Sequence, residues 1–189
     1  MEKNSEDIAL FDMDGTLCDY EKGLIESLEK LRSPLEQPLK ETLSFDLPDY
    51  LRARSDLIRS SSKWWANLPQ FNLGFIIWQN ARAYGYRCMV LTQGPKDNPH
   101  AWAGKKMWID KNLGENVDIT ITRDKGLVYG KILVDDWPPY ITRWLEWRPR
   151  GLVIMPASKI NGDFEHPQVI RYDGENMGEV KKRMIELKK

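Results

Sequence analysis

Ile8-Ala9-Leu10-Phe11-Asp12-Met13-Asp14-Gly15-Thr16 is the stretch on which the reading of this chain turns. Its first four residues form a short apolar run of the kind that makes a buried strand. Two carboxylates, two residues apart, follow at once. On a continuing strand they would share one face, where unpaired carboxylates repel each other and resist burial. Gly15 breaks the strand into a turn and lets the backbone approach a ligand closely. A solvated Asp-Gly turn is the ordinary alternative, and only the context sets it aside. The pattern suits a nucleophilic carboxylate beside a second carboxylate and a divalent cation.

That context recurs twice. Lys131-Ile132-Leu133-Val134 runs into Asp135-Asp136, and Cys88-Met89-Val90-Leu91 runs into Thr92-Gln93-Gly94-Pro95. Three apolar strand patterns thus each deliver functional groups at their C-terminal ends, where open α/β sheets place their sites. Strand-like runs span 7–12, 86–92, 117–121, 131–135, 151–155 and 168–172, with helical patterns over 72–84, 99–113, 139–147 and 175–188 between them. This alternation predicts an α/β fold, a Rossmann-like parallel sheet flanked by helices. Leu17 to Pro69 breaks the alternation: amphipathic segments over 20–31 and 49–67 are separated by a turn-rich region between Pro34 and Pro48. Residues 18–69 therefore read as a small helical cap inserted after the first strand, and residues 1–17 and 70–189 as the core.

A chain of 189 residues can bury one sizeable core. Its 28 basic and 28 acidic residues cancel, so no global field draws it to nucleic acid or an anionic membrane. The two cysteines, Cys18 and Cys88, are too few and too far apart to suggest a disulfide framework. Residues 1–7 are acidic and polar, unlike a secretory or transit sequence, and no apolar stretch approaches the roughly 20 residues a bilayer span needs. A cytoplasmic protein without a membrane partner is expected. His100 and His166 lack metal-ligand spacing. No oligomeric state follows from these residues.

The three strand ends resemble the haloacid dehalogenase (HAD) superfamily of phosphotransferases. Asp12-x-Asp14-Gly15-Thr16 is similar to its first motif, Thr92 to its second, and Asp135-Asp136 to its acidic fourth. Lys105-Lys106-Met107-Trp108-Ile109-Asp110-Lys111-Asn112-Leu113-Gly114, followed by Ile121-Thr122-Arg123-Asp124-Lys125, looks like the 5′(3′)-deoxyribonucleotidase family. In that family a Thr-Arg-Asp-Lys stretch precedes the paired aspartates. The resemblance implies that Lys125 is the motif-three lysine, with Lys131 and Lys105 as alternatives.

It also implies a mechanism. Asp12 would attack phosphorus and form an aspartyl-phosphate; Asp14 would act as general acid and then general base. Mg²⁺ would sit among the Asp12 carboxylate, the Asp14 backbone carbonyl and a carboxylate of Asp135 or Asp136. Thr92, Gln93 and Lys125 would hold the phosphoryl oxygens. Tyr20 falls where the family sets an aromatic against the nucleobase, and Trp64-Trp65 where it has a late run of aromatics. Phe45, Tyr50 and Trp102 are looser candidates. Stacking tolerates different bases, but the same rings also suit a core between helices. Arg123 would contact substrate or pair with Asp124 or another carboxylate.

The expected activity is Mg²⁺-dependent hydrolysis of (deoxy)ribonucleoside monophosphates. The alternative is the same chemistry on a sugar phosphate or another small phosphometabolite. A phosphatase for nucleic-acid ends would need a basic groove, which zero net charge argues against. Gln93-Gly94 stands where the deoxyribonucleotidases have Ser-Pro. Base preference, sugar preference and the choice between 5′ and 3′ phosphates are not legible.

Overall fold

The computed structural model describes residues 7–39 and 47–188. Six parallel strands form one sheet in the order β3-β2-β1-β4-β5-β6. They are β1 (Ile8–Phe11), β2 (Arg87–Thr92), β3 (Ile119–Ile121), β4 (Ile132–Val134), β5 (Leu152–Pro156) and β6 (Val169–Tyr172). The helices are α1 (Tyr20–Lys30), α2 (Asp49–Arg59), α3 (Ser62–Ala66), α4 (Asn72–Ala83), α5 (Pro99–Asn112), α6 (Pro138–Trp147) and α7 (Met177–Glu186). The Rossmann-like α/β expectation matches this arrangement, and each strand lies within two residues of its expected bounds.

The chain divides into two compact units. The first holds the sheet with α4, α6 and α7, drawn from the chain up to Leu17, from Phe71–Gln93 and from Val117 onward. Side chains alternate across a strand, so β1 serves two layers. Leu10 joins Leu91, Leu133, Val153 and Met155 against Ile141, Trp144 and Leu145 of α6. Phe11 instead meets Trp78 of α4 edge-on, with ring centroids 4.8 Å apart. The strands that are covered on both faces are almost wholly apolar, as β4 (Ile-Leu-Val) and β5 (Leu-Val-Ile-Met-Pro) show.

The second unit, Cys18–Gln70 with Gly94–Asn116, is helical. The expected cap segment falls within it, but so does α5, which the alternation of strands and helices assigned to the core. Within this unit α5 packs on α3: Lys105 lies buried with its Nζ 5.5 Å from the Trp65 ring. The α5 sequence lacks a clean apolar stripe, so nothing in its own pattern marks the surface it covers. The amphipathic segment expected over 49–67 holds two helices, α2 and α3, parted at Ser60-Ser61. There the Ser60 hydroxyl donates to the Leu57 carbonyl, a local bond that competes with helix continuation. Phe45 lies outside the described residues.

In the first unit, α4 begins hard against the turn that follows β1. A Cβ on Gly74 would run into the Thr16 backbone carbonyl, so only glycine permits this approach. Gly74→Ala should therefore destabilise the protein by about 1–3 kcal/mol through overpacking, lowering Tm by roughly 3–10 °C. Thermal unfolding checks this; a wild-type Tm would show that the two backbones part at little cost.

Candidate active site

The order of strands reverses between β1 and β4, the switch point at which doubly wound sheets open a crevice. Phe11 and Val134 are register partners, and the Asp12 N–H donates to the Val134 carbonyl at 2.8 Å. Two chain segments thus leave the sheet side by side, one carrying Asp12 and the other Asp135-Asp136. β1 ends at Phe11, and the chain turns: the Leu17 N–H returns to the Met13 carbonyl at 2.8 Å. Met13 is buried among core residues. Gly15 is required twice over, by a φ of 77° and because a Cβ would overlap the Asp136 carboxylate. The Thr16 hydroxyl then donates to Asp136 Oδ1 at 3.2 Å.

Asp12, Asp135 and Asp136 are all buried, and each offers a carboxylate oxygen within 4.8 Å of the others. Lys125, also buried, sets its Nζ 2.8 Å from Asp12 Oδ1 and 2.6 Å from Asp135 Oδ2. It lies 4.6 Å from the Tyr140 ring centroid as well. A short 3-10 helix, Lys125–Leu127, presents it. Asp124 starts that turn by accepting from the Gly126 N–H, and Arg143 of α6 grips Asp124 with two bonds of 3.0 and 2.8 Å.

One lysine cannot neutralise three carboxylates at this depth. Burial would draw the Lys125 ammonium toward neutrality, but Asp12 and Asp135 outweigh it and raise its affinity for the proton. Burial pushes Asp135 up to about 6, against the pull of Lys125. Burial, then repulsion from Asp135 and Asp12, pushes Asp136 well above the usual carboxylate range. Hard oxygens converging with excess negative charge fit a divalent cation. The two paired aspartates differ in their remaining capacity. Asp135 accepts from Lys125 on one oxygen and from the Trp137 N–H, at 3.0 Å, on the other. Asp136 receives Thr16 on Oδ1, while its Oδ2 occupies the space that a Cβ on Gly15 would need.

Thr92 is buried at the C-terminal end of β2, the strand beside β1, and half-buried Gln93 follows it. Asp14 lies in the turn after β1. These residues belong to the first unit, as do Asp12, Lys125, Asp135 and Asp136. Arg123 is exposed and is not the partner of Asp124, which Arg143 takes instead. Lys131 precedes β4, at the end of the strand opposite the paired aspartates, and pairs with Asp7 at 2.6 Å. Lys105 belongs to the second unit. Lys125 reaches the carboxylates, whereas Lys131 is turned to Asp7. Sequence reasoning missed Tyr140 and Arg143, whose positions on α6 carry no motif.

In the second unit, Trp65 is buried with its indole N–H donating to the Arg59 carbonyl at 2.8 Å. Trp64 donates to Ser27 Oγ at 2.9 Å and packs on a cluster built around Leu24, Leu28 and Leu51. Tyr20 stacks on Trp65 with centroids 5.7 Å apart, and its hydroxyl accepts from Arg59 at 3.3 Å. Tyr50 and Trp102 are exposed. His100 is exposed, and half-buried His166 accepts the Gln168 N–H inside its own loop. No helix among the described residues is long and apolar enough to cross a membrane.

No protein-family profile matches the chain. A Bordetella bronchiseptica protein named "Putative 5′(3′)-deoxyribonucleotidase" is 29% identical over 139 residues, covering 69% of this chain and 74% of that one. Among solved structures, a Burkholderia xenovorans protein described as a "putative haloacid dehalogenase-like hydrolase" superposes with a TM-score of 0.56 at 16% identity, over 96% of this chain and 99% of that one. An Entamoeba histolytica HAD hydrolase of family IA, variant 3, gives a TM-score of 0.54 at 16% identity, with the same coverage. The chain thus has the haloacid dehalogenase-like fold, and in sequence it is similar to proteins that carry the 5′(3′)-deoxyribonucleotidase name.

Proposed function

We propose that the protein is a Mg²⁺-dependent phosphomonoesterase that hydrolyses (deoxy)ribonucleoside monophosphates. The observation that carries this reading is the buried cluster of Asp12, Asp135 and Asp136 around Lys125 at the sheet's switch point. The names of the sequence relatives support the substrate class.

Asp12 is the nucleophile: its carboxylate attacks phosphorus, the ester P–O bond breaks, and an aspartyl-phosphate forms. Asp14 gives its proton to the departing alkoxide. It then takes a proton from the water that attacks the acyl phosphate, which releases inorganic phosphate and restores Asp12. Thr92, Gln93 and Lys125 hold the phosphoryl oxygens, Lys125 by charge. The cation would be held by the Asp12 carboxylate, the Asp14 carbonyl and Asp136, since Asp135 is committed to Lys125 and the Trp137 N–H. When bound, Mg²⁺ shields Asp12 from the dianionic substrate and neutralises charge in transfer.

The second unit would act as the cap that selects substrate, with Tyr20 as the stacking ring and Arg123 of the core as a further substrate contact. Trp65 is tied into packing by its Arg59 bond, so Tyr20 carries most of that assignment. The same burial favours the second reading, a sugar phosphate or another small phosphometabolite as substrate. Two cysteines far apart in the sequence, too few for a disulfide framework, fit a cytoplasmic setting. The balanced charge fits a small-molecule partner better than a nucleic-acid end.

Phosphate release measured with Mg²⁺ or EDTA, across deoxy- and ribonucleoside 5′- and 3′-monophosphates and sugar phosphates, tests the proposal. Metal-dependent turnover strongest on nucleotides is expected; turnover confined to sugar phosphates would move the substrate assignment. Asp12→Asn should cut kcat by about 10³-fold or more, and full activity in that variant would end the nucleophile assignment. Tyr20→Ala should lower kcat/KM on nucleotides by roughly tenfold or more, as loss of a stacked base does. Turnover of p-nitrophenyl phosphate should be spared; equal losses on both would make the ring structural.

Charge crowding gives a pH signature in the metal-free protein. Because burial raises the folded-state pKa of Asp136 and Asp135, their ionisation destabilises the fold. That penalty is absent below the ordinary carboxylate pKa and grows as pH rises through the raised values, about 6 for Asp135. Metal-free Asp136→Asn should therefore be more stable than wild type at pH 8, with the gap narrowing toward pH 5. Mg²⁺ should stabilise wild type selectively. Urea unfolding with EDTA and with Mg²⁺ measures both; a variant less stable at pH 8 without metal would contradict the crowding.

A further inference from the structure

Asp136 stands beyond the last ladder residue of β4, Val134, so the sheet does not fix its peptide. Another residue does. Asn161, in the segment after β5, is fully buried, and its side-chain N–H₂ donates to the Asp136 carbonyl at 3.1 Å and to the Pro156 carbonyl at 2.9 Å. Its Oδ1 accepts from the Ser158 N–H at 3.0 Å and from Arg171 Nε at 3.3 Å. An asparagine amide has two donors and two acceptor lone pairs, and all four are engaged here. The donors on Ser158 and Arg171 also fix which way the amide points, because a flipped amide would set donor against donor. Arg171, from β6, braces the loop a second time by donating to the Ser158 carbonyl at 3.3 Å.

Three of these bonds close the 156–161 loop and tie it to β6. The fourth leaves the loop and ends on Asp136. That aspartate is thereby held at both ends: its carboxylate by the Thr16 hydroxyl and its backbone by Asn161. We infer that Asn161, braced by Arg171, is a positioning residue for the cation site, fixing the Asp136 peptide so that its carboxylate faces Asp12. Replacing a group that orients a metal's direct ligand typically costs about 10- to 100-fold in metal affinity. This inference rests on the cation reading proposed above.

Asn161→Asp is the informative substitution. It keeps the shape and the acceptors toward Ser158 and Arg171, and it removes both donors. It also adds negative charge, which by itself would tighten cation binding. Loss of positioning loosens it, so the sign separates the two effects. The experiment is direct Mn²⁺ binding to the full chain, followed by electron paramagnetic resonance, with Tm recorded for each variant. Wild type should bind one Mn²⁺, and Asn161→Asp should bind it about 10- to 100-fold more weakly. Raising Mg²⁺ should restore the variant's turnover. Wild-type or tighter affinity in a folded Asn161→Asp protein overturns the inference. If wild type itself binds no Mn²⁺, the cation reading fails instead, and the inference fails with it. Should Asn161→Asp not fold, Arg171→Met, which removes only the brace, decides: several-fold weaker Mn²⁺ binding supports the assignment, and unchanged affinity overturns it.

Discussion

Three carboxylates brought together out of water, with Lys125 between two of them, set the terms for the rest of this molecule. Each buried charge carries a desolvation cost of several kcal/mol that only partners or protonation relieve. Lys125 relieves part of it by lying between Asp12 and Asp135. What remains is carried by neighbours that hold the oxygens in place: the Thr16 hydroxyl on Asp136 and the Trp137 N–H on Asp135. The fold supplies stiffness for this purpose. A parallel sheet clamped on both faces provides two adjacent strand ends whose separation is set by ladder hydrogen bonds, not by the charges they carry.

Close approach is the second constraint. The turn after β1 has room for the Asp136 carboxylate only because position 15 has no side chain, and α4 can start against the Thr16 carbonyl only because position 74 has none. The motif turn is thus confined from two directions. A loop confined in this way has little conformational entropy left to lose on meeting a ligand.

How much of this was written in the sequence depends on range. That Asp12, Asp135 and Asp136 stand together was legible because each sits just past an apolar run, and the end of a strand can be read locally. Lys125 needed the resemblance: Lys131 lies closer in sequence to the paired aspartates, yet it flanks the start of β4 and reaches Asp7 instead. The packing of α5 was not legible, since a helix without an amphipathic stripe does not declare which surface it covers. Arg143 taking Asp124 away from Arg123 is a contact across 19 residues, set by how α6 lies along the 3-10 turn. Asn161 left no trace, because a buried asparagine in a loop resembles any turn residue until its partners are seen.

The helical unit is discontinuous. Its two segments, Cys18–Gln70 and Gly94–Asn116, leave and rejoin the sheet-bearing unit at four points along the chain. Excising the first segment alone would remove α3 and strip the cover from one side of α5, exposing the indole of Trp108, whose N–H now donates to the Leu68 carbonyl at 2.8 Å. In gene-construction terms this unit is not a cassette. A chimaera that takes its helical unit from a relative must carry both segments together, and a lineage that changes one must accommodate the other.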